Sequence, residues 1–84
     1  VTTISFSKEA KKFLSKLNSA DRNKIAKALK KISANPLVGE KLKGEYEGLF
    51  KLYAWPYRVI YGFEDTNKIV LVVTIGHRQG VYKK

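Results

Sequence analysis

The sequence holds one histidine and three arginines, and two of these four residues stand side by side in TIGHRQGVYK as His77 and Arg78, with Tyr82 four residues after Arg78. Arg58 in YRVIY and Lys51 in LFKLY belong with them, because alternating strands in an antiparallel sheet could bring all five together. An arginine's planar fork grips a phosphate through two parallel hydrogen bonds, whereas lysine offers a point charge. Fourteen of the seventeen basic residues are lysines, so arginine at 58 and 78 reads as a choice of geometry. A tyrosine ring offers a face on which an unstacked base can lie. These parts suit metal-free cleavage of RNA, in which a ribose 2′-hydroxyl attacks the adjacent phosphate. That reaction needs a base, a clamp for developing charge and a proton for the leaving oxygen. Arg58 and Arg78 fit the clamp. Lys51 fits the base if neighbouring arginines and partial burial favour its neutral form, and His77 fits base or acid because imidazole titrates near neutrality. The residues leave both assignments open.

Other chemistries lack their parts. The chain has no cysteine and a single histidine, so neither a disulfide framework nor the usual zinc ligand set is available, and no cofactor is expected. Glu45 and Glu47 lie two apart in the glycine-flanked GEYEG, a turn composition that favours a solvated loop over a carboxylate pair. No serine sits in a nucleophile elbow, and no glycine-rich loop leads from a strand into a helix. The longest apolar run, residues 69–75, is too short to span a bilayer, so a cytoplasmic protein without a membrane partner is expected.

The elements that must position the five residues follow from periodicity. SKEAKKFLSKLN carries Ala10, Phe13, Leu14 and Leu17 at helical spacing, with Lys8, Lys12 and Lys16 on the opposite face and Ser7 as the opening cap. SADRNKIAKALKKISANP repeats the pattern with Ile25, Ala28, Leu29 and Ile32, and ends at Asn35 before Pro36. From Leu42 the period becomes alternating: LFKLYAW, YRVIYGFE and KIVLVVTIG read as strands broken at Pro56 and at EDTNK, and TTISF adds one at the start. NPLVGEKLKGEYEG is left as an extended connection. The expected fold is one α+β domain over 1–84: an N-terminal strand and a two-helix hairpin packed on a twisted, mainly antiparallel sheet.

A hydrophobic content of 44% is enough for a core, and the formal charge of +10 points to a polyanionic partner. Lys8, Lys12 and Lys16 form either a solvated helix face or a docking surface for large RNA or an acidic protein. Ammonium groups contact phosphate without reading sequence.

ISFSKEAKKFLSKL, LKGEYEGLFKLYAWPYRVIY and VLVVTIGHRQGVYK together resemble the RelE family of bacterial and archaeal toxins across nearly the whole chain. YRVIY, then IGHR about fifteen residues on, then VY, is the pattern of the wider RelE and ParE superfamily. The resemblance implies the toxin of a type II toxin–antitoxin pair, a ribosome-dependent endoribonuclease that cuts mRNA in the ribosomal A site, with mRNA, the ribosome and a RelB-like antitoxin as partners. It implies catalytic roles for Lys51, Arg58, Arg78 and Tyr82, with His77 where relatives carry histidine or lysine. It departs at Leu49, where some relatives have a second lysine that Lys43 could replace, and at the turn AWPYR. Two rival readings share the sequence features: a ParE-like inhibitor of DNA gyrase, and an RNA-binding protein that cleaves nothing. Lys8, Lys12, Lys16 and Lys43 are the candidate contacts to RNA and the ribosome.

Overall fold

A computed structural model of the chain describes residues 2–77. Its elements run β1 (Thr3–Phe6), α1 (Lys8–Ser15), α2 (Ser19–Ala34), β2 (Glu40–Lys41), a one-turn 3₁₀ helix (Gly44–Tyr46), β3 (Leu49–Ala54), β4 (Tyr57–Glu64) and β5 (Ile69–His77). The five strands form one sheet in the order β1-β5-β4-β3-β2. β1 lies parallel to β5, and every other pair is antiparallel. This is the α+β fold expected from the sequence: β3, β4 and β5 make a meander, and the two helices lie on one face of the sheet.

Each helix begins where a side chain can accept an orphan backbone N–H. Ser7 Oγ accepts from the Ala10 N–H at 3.0 Å and donates to the Val73 carbonyl at 2.6 Å, tying the head of α1 to β5. Asn18 Oδ1 accepts from the Asp21 N–H at 2.8 Å and opens α2. Such caps each contribute about 1 kcal/mol. α1 stops at Ser15, short of the Leu17 that periodicity predicted, because the chain tightens: the N–H groups of Lys16 and Leu17 bond the carbonyls of Phe13 and Leu14 at 3.1 and 3.2 Å. Arg22 of α2 reaches back to the same helix end, donating from Nε to the Leu14 carbonyl at 3.1 Å and from Nη2 to the Ser15 carbonyl at 3.5 Å. The third arginine thus adds a second donor to the Leu14 carbonyl and reaches the Ser15 carbonyl at the end of α1, where a helix runs out of backbone donors. α2 ends where Pro36 cannot continue it, with the Asn35 N–H bonded to the Lys31 carbonyl.

The buried stripe of the helices, Ala10, Ile25, Ala28 and Ile32, meets Phe50, Val59, Tyr61 and Val72 of the sheet. The lysine rows on both helices face solvent. The segment expected to be an extended connection is organised: the buried Tyr61 donates its hydroxyl to the Pro36 carbonyl at 2.8 Å and accepts the Gly39 N–H at 3.0 Å. That pins residues 36–39 so that β2 can add to the sheet edge. The approach needs glycine, since a Cβ at position 39 would lie 2.7 Å from Tyr61 Oη and 2.8 Å from the Lys51 carbonyl oxygen. Burial pushes the Tyr61 hydroxyl's pKa above its ordinary value, an effect partly offset by the N–H donated from Gly39.

The β4–β5 ladder is irregular at one place. Ile60 pairs with Thr74 but Tyr61 pairs with Val72, so Val73 is an extra residue and the alternation of β5 shifts by one beyond it.

Candidate functional site

β3 alternates with Phe50, Leu52 and Ala54 packed toward the helices, which leaves Leu49, Lys51 and Tyr53 on the other face. On β4 the helix-facing set is Tyr57, Val59, Tyr61 and Phe63, so Arg58 and Ile60 share the face of Lys51 and Tyr53. Register makes the pairing direct: Tyr53 lies opposite Arg58, and Lys51 opposite Ile60. A two-residue turn, Trp55 and a cis Pro56, joins the strands so that Ala54 pairs with Tyr57.

Two cations converge on one ring at this face. Lys51 Nζ is 5.0 Å and Arg58 Cζ 5.3 Å from the centre of the Tyr53 ring. The Lys51 side chain is only 13% exposed, and its ammonium is 3.4 Å from the carboxylate of Glu40, its direct partner on β2. Arg58 Nε is shielded from solvent. The half-exposed aromatic face between held positive charges can accept a phosphate together with the flat bases attached to it.

The structure therefore brings together two of the sequence-predicted residues, Lys51 and Arg58. His77 stands elsewhere. It pairs with Tyr57 at the end of β5, with the two rings edge to face and their centres 6.1 Å apart. Tyr57 faces the helices: its ring meets Phe13 of α1, and its hydroxyl donates to Asp21 Oδ2 of α2 at 2.9 Å. That hydrogen bond, with burial and the negative charge of Asp21, raises the Tyr57 pKa. His77 thus lies on the helix side of the sheet, and Lys51 and Arg58 on the other. Arg78 and Tyr82 lie outside the described residues.

Lys8, Lys12 and Lys16 are exposed and carried by the helical layer, across the sheet from Lys51 and Arg58. Lys43 heads the 3₁₀ turn and borders a groove of about 580 Å³ lined also by Lys41, Leu42, Glu47 and Leu49. Among the described residues no group of three or more His, Asp or Glu side chains comes together to hold a metal ion, and no helix is long and apolar enough to cross a membrane.

Two residues of this site were missed by sequence reasoning. Tyr53 was findable, because in a strand it shares a face with Lys51 two positions earlier. Glu40 gave no signal: it lies in the long connection, and only the pairing of β2 with β3 sets it opposite Lys51.

The fold and sequence have relatives. The profile of the family described as the ParE toxin of the type II toxin–antitoxin system parDE matches residues 4–82. A putative RelE-like toxin protein of Escherichia coli is 35% identical over 78 residues, covering 90% of this chain and 82% of its own length. Toxin RelG of Mycobacterium tuberculosis is 29% identical over 84 residues, covering 98% of this chain and 97% of its own. Among solved structures, the toxin–antitoxin complex RelBE2 from Mycobacterium tuberculosis contains a chain that superposes with a TM-score of 0.82 at 29% identity, over 92% of this chain and 98% of that one.

Proposed function

From the premise that this chain belongs to the RelE/ParE superfamily of type II toxin–antitoxin toxins, we propose that it is a ribosome-dependent endoribonuclease that cuts mRNA in the A site. The observation that carries the reading is the convergence of Lys51 and Arg58 on the ring of Tyr53, on the sheet face away from the helices. A protein that binds only another protein has no need of such a clamp, whereas a pentavalent phosphorus gaining charge in the transition state does. Arg58 holds the non-bridging oxygens and Lys51 adds a second positive charge from the neighbouring strand. Arg78 and Tyr82, carried by the family pattern, complete the clamp and orient the nucleotide.

The ribosome supplies the ordered substrate, and the exposed lysines Lys8, Lys12 and Lys16, with Lys43, anchor the protein on ribosomal RNA through phosphate contacts. The cognate antitoxin is RelB-like, as the solved RelBE2 complex suggests for a chain of this fold. Translation, and with it this activity, belongs to the cytoplasm.

A second reading is supported by the family profile itself, which describes ParE toxins: inhibition of DNA gyrase on the same scaffold. Two assays separate them. Purified protein added to a reconstituted translation reaction yields new 5′ ends in the A-site codon only with ribosomes present, and leaves gyrase supercoiling untouched. An intact message with arrested supercoiling would establish the gyrase reading instead.

A further inference from the structure

We propose that Tyr53 is a stacking platform for a nucleobase flanking the phosphate held by Lys51 and Arg58, an inference that rests on the RNA-cleavage reading above. Tyr53 is 49% exposed yet not loosely placed: register sets it opposite Arg58, and the two cations lie 5.0 and 5.3 Å from the centre of its ring. A phosphate gripped by both cations lies beside this ring, and the nucleosides attached to it carry their bases within a few ångströms. Aromatic faces hold single-stranded bases in sequence-tolerant fashion, and flanking cations strengthen the hold by also meeting the backbone. Ser or Thr at this position would keep the strand and the charges but offer no such face. The competing account is that the ring only spaces and orients the two cations.

Single-turnover cleavage on programmed ribosomes decides between them. The messages carry either an intact A-site codon or an abasic ribonucleotide on one side or the other of the cleaved bond, and the proteins are wild type, Tyr53→Phe and Tyr53→Ala. Stacking predicts that Tyr53→Phe stays within about twofold of wild type and that Tyr53→Ala is slower by roughly 5- to 100-fold on the intact message. On one of the two abasic messages that difference collapses, because the base that the ring would hold is gone. An equal loss on intact and abasic messages, or no loss on the intact one, overturns the proposal and leaves Tyr53 a spacer of charges. If wild type cuts none of the messages, the RNA-cleavage reading has failed and the proposal with it. Circular dichroism of Tyr53→Ala matching wild type excludes misfolding as the cause of a loss.

Discussion

His77 stands directly across from Tyr57 in the β4–β5 ladder, ring edge against ring face at 6.1 Å, and Tyr57 in turn donates its hydroxyl to Asp21 of α2. The lone histidine is thereby on the helix side of the sheet, away from the face where Lys51 and Arg58 meet. The expected outcome is that His77→Ala changes ribosome-dependent cleavage by less than about threefold, whereas Lys51→Ala lowers it by about 100-fold or more, the scale of losing one preorganised transition-state contact. A His77→Ala loss as large as that of Lys51→Ala would assign the imidazole a direct part in the reaction.

Glycine at position 39 is required by close approach, since a Cβ would press on Tyr61 Oη and on the Lys51 carbonyl, which belongs to the backbone of β3 and cannot retreat. Gly39→Ala is expected to lower unfolding stability by about 1–3 kcal/mol, the range for overpacking a fitted site. A urea midpoint equal to that of wild type would show that the connection shifts without cost.

Glu40 places a carboxylate 3.4 Å from the ammonium that the account assigns to phosphate. Glu40→Gln removes a negative charge facing an incoming polyanion, so ribosome binding should tighten by about two- to fivefold at low salt, with the gain shrinking as salt rises. Its 68% exposed side chain limits the cost in stability to about 1 kcal/mol at most. Weaker binding by Glu40→Gln would instead mean that the carboxylate is needed to hold Lys51 in place.

Burial raises the affinity of Tyr61 for its proton, so above the ordinary tyrosine value of about 10 the unfolded chain loses a proton that the folded chain keeps. The unfolded state then binds fewer protons, and stability falls as pH rises through that window, having been fully present below it. Tyr61→Phe should be less stable near neutrality by about 1 kcal/mol, for its lost hydrogen bonds to Pro36 and Gly39, and should show a shallower decline between about pH 9 and about pH 11. Parallel declines for the two proteins would contradict this, with the lysines common to both cancelling in the comparison.

The helices and meander were legible because local signals agree with the global fold. Ser7 precedes an amphipathic run, Pro36 stops the second helix, and YRVIYGFE corresponds residue for residue to β4. The placement of His77 was not legible. Counting alternate positions from the buried Val70 and Val72 puts residue 77 on the face away from the helices, but the extra residue Val73 reverses the parity, so that Ile75 is buried and His77 joins Tyr57. No feature of KIVLVVTIG marks that irregularity. β2 was hidden for another reason: its two residues form a strand only because Tyr61, twenty residues later, holds the connection that precedes it. Lys51 and Arg58, by contrast, were within reach of the sequence, since the tight turn at Trp55 and Pro56 leaves little freedom in the register between them.

The most direct test of the central claim is primer extension on a defined, stalled message, with and without ribosomes, comparing wild type with Arg58→Ala and Arg58→Lys. A-site ends are expected only when ribosomes are present, with about 100- to 1,000-fold less cleavage for Arg58→Ala and only partial recovery for Arg58→Lys because the guanidinium fork is lost. Unaltered cleavage by Arg58→Ala, or a message left intact by the wild-type protein on ribosomes, would contradict it.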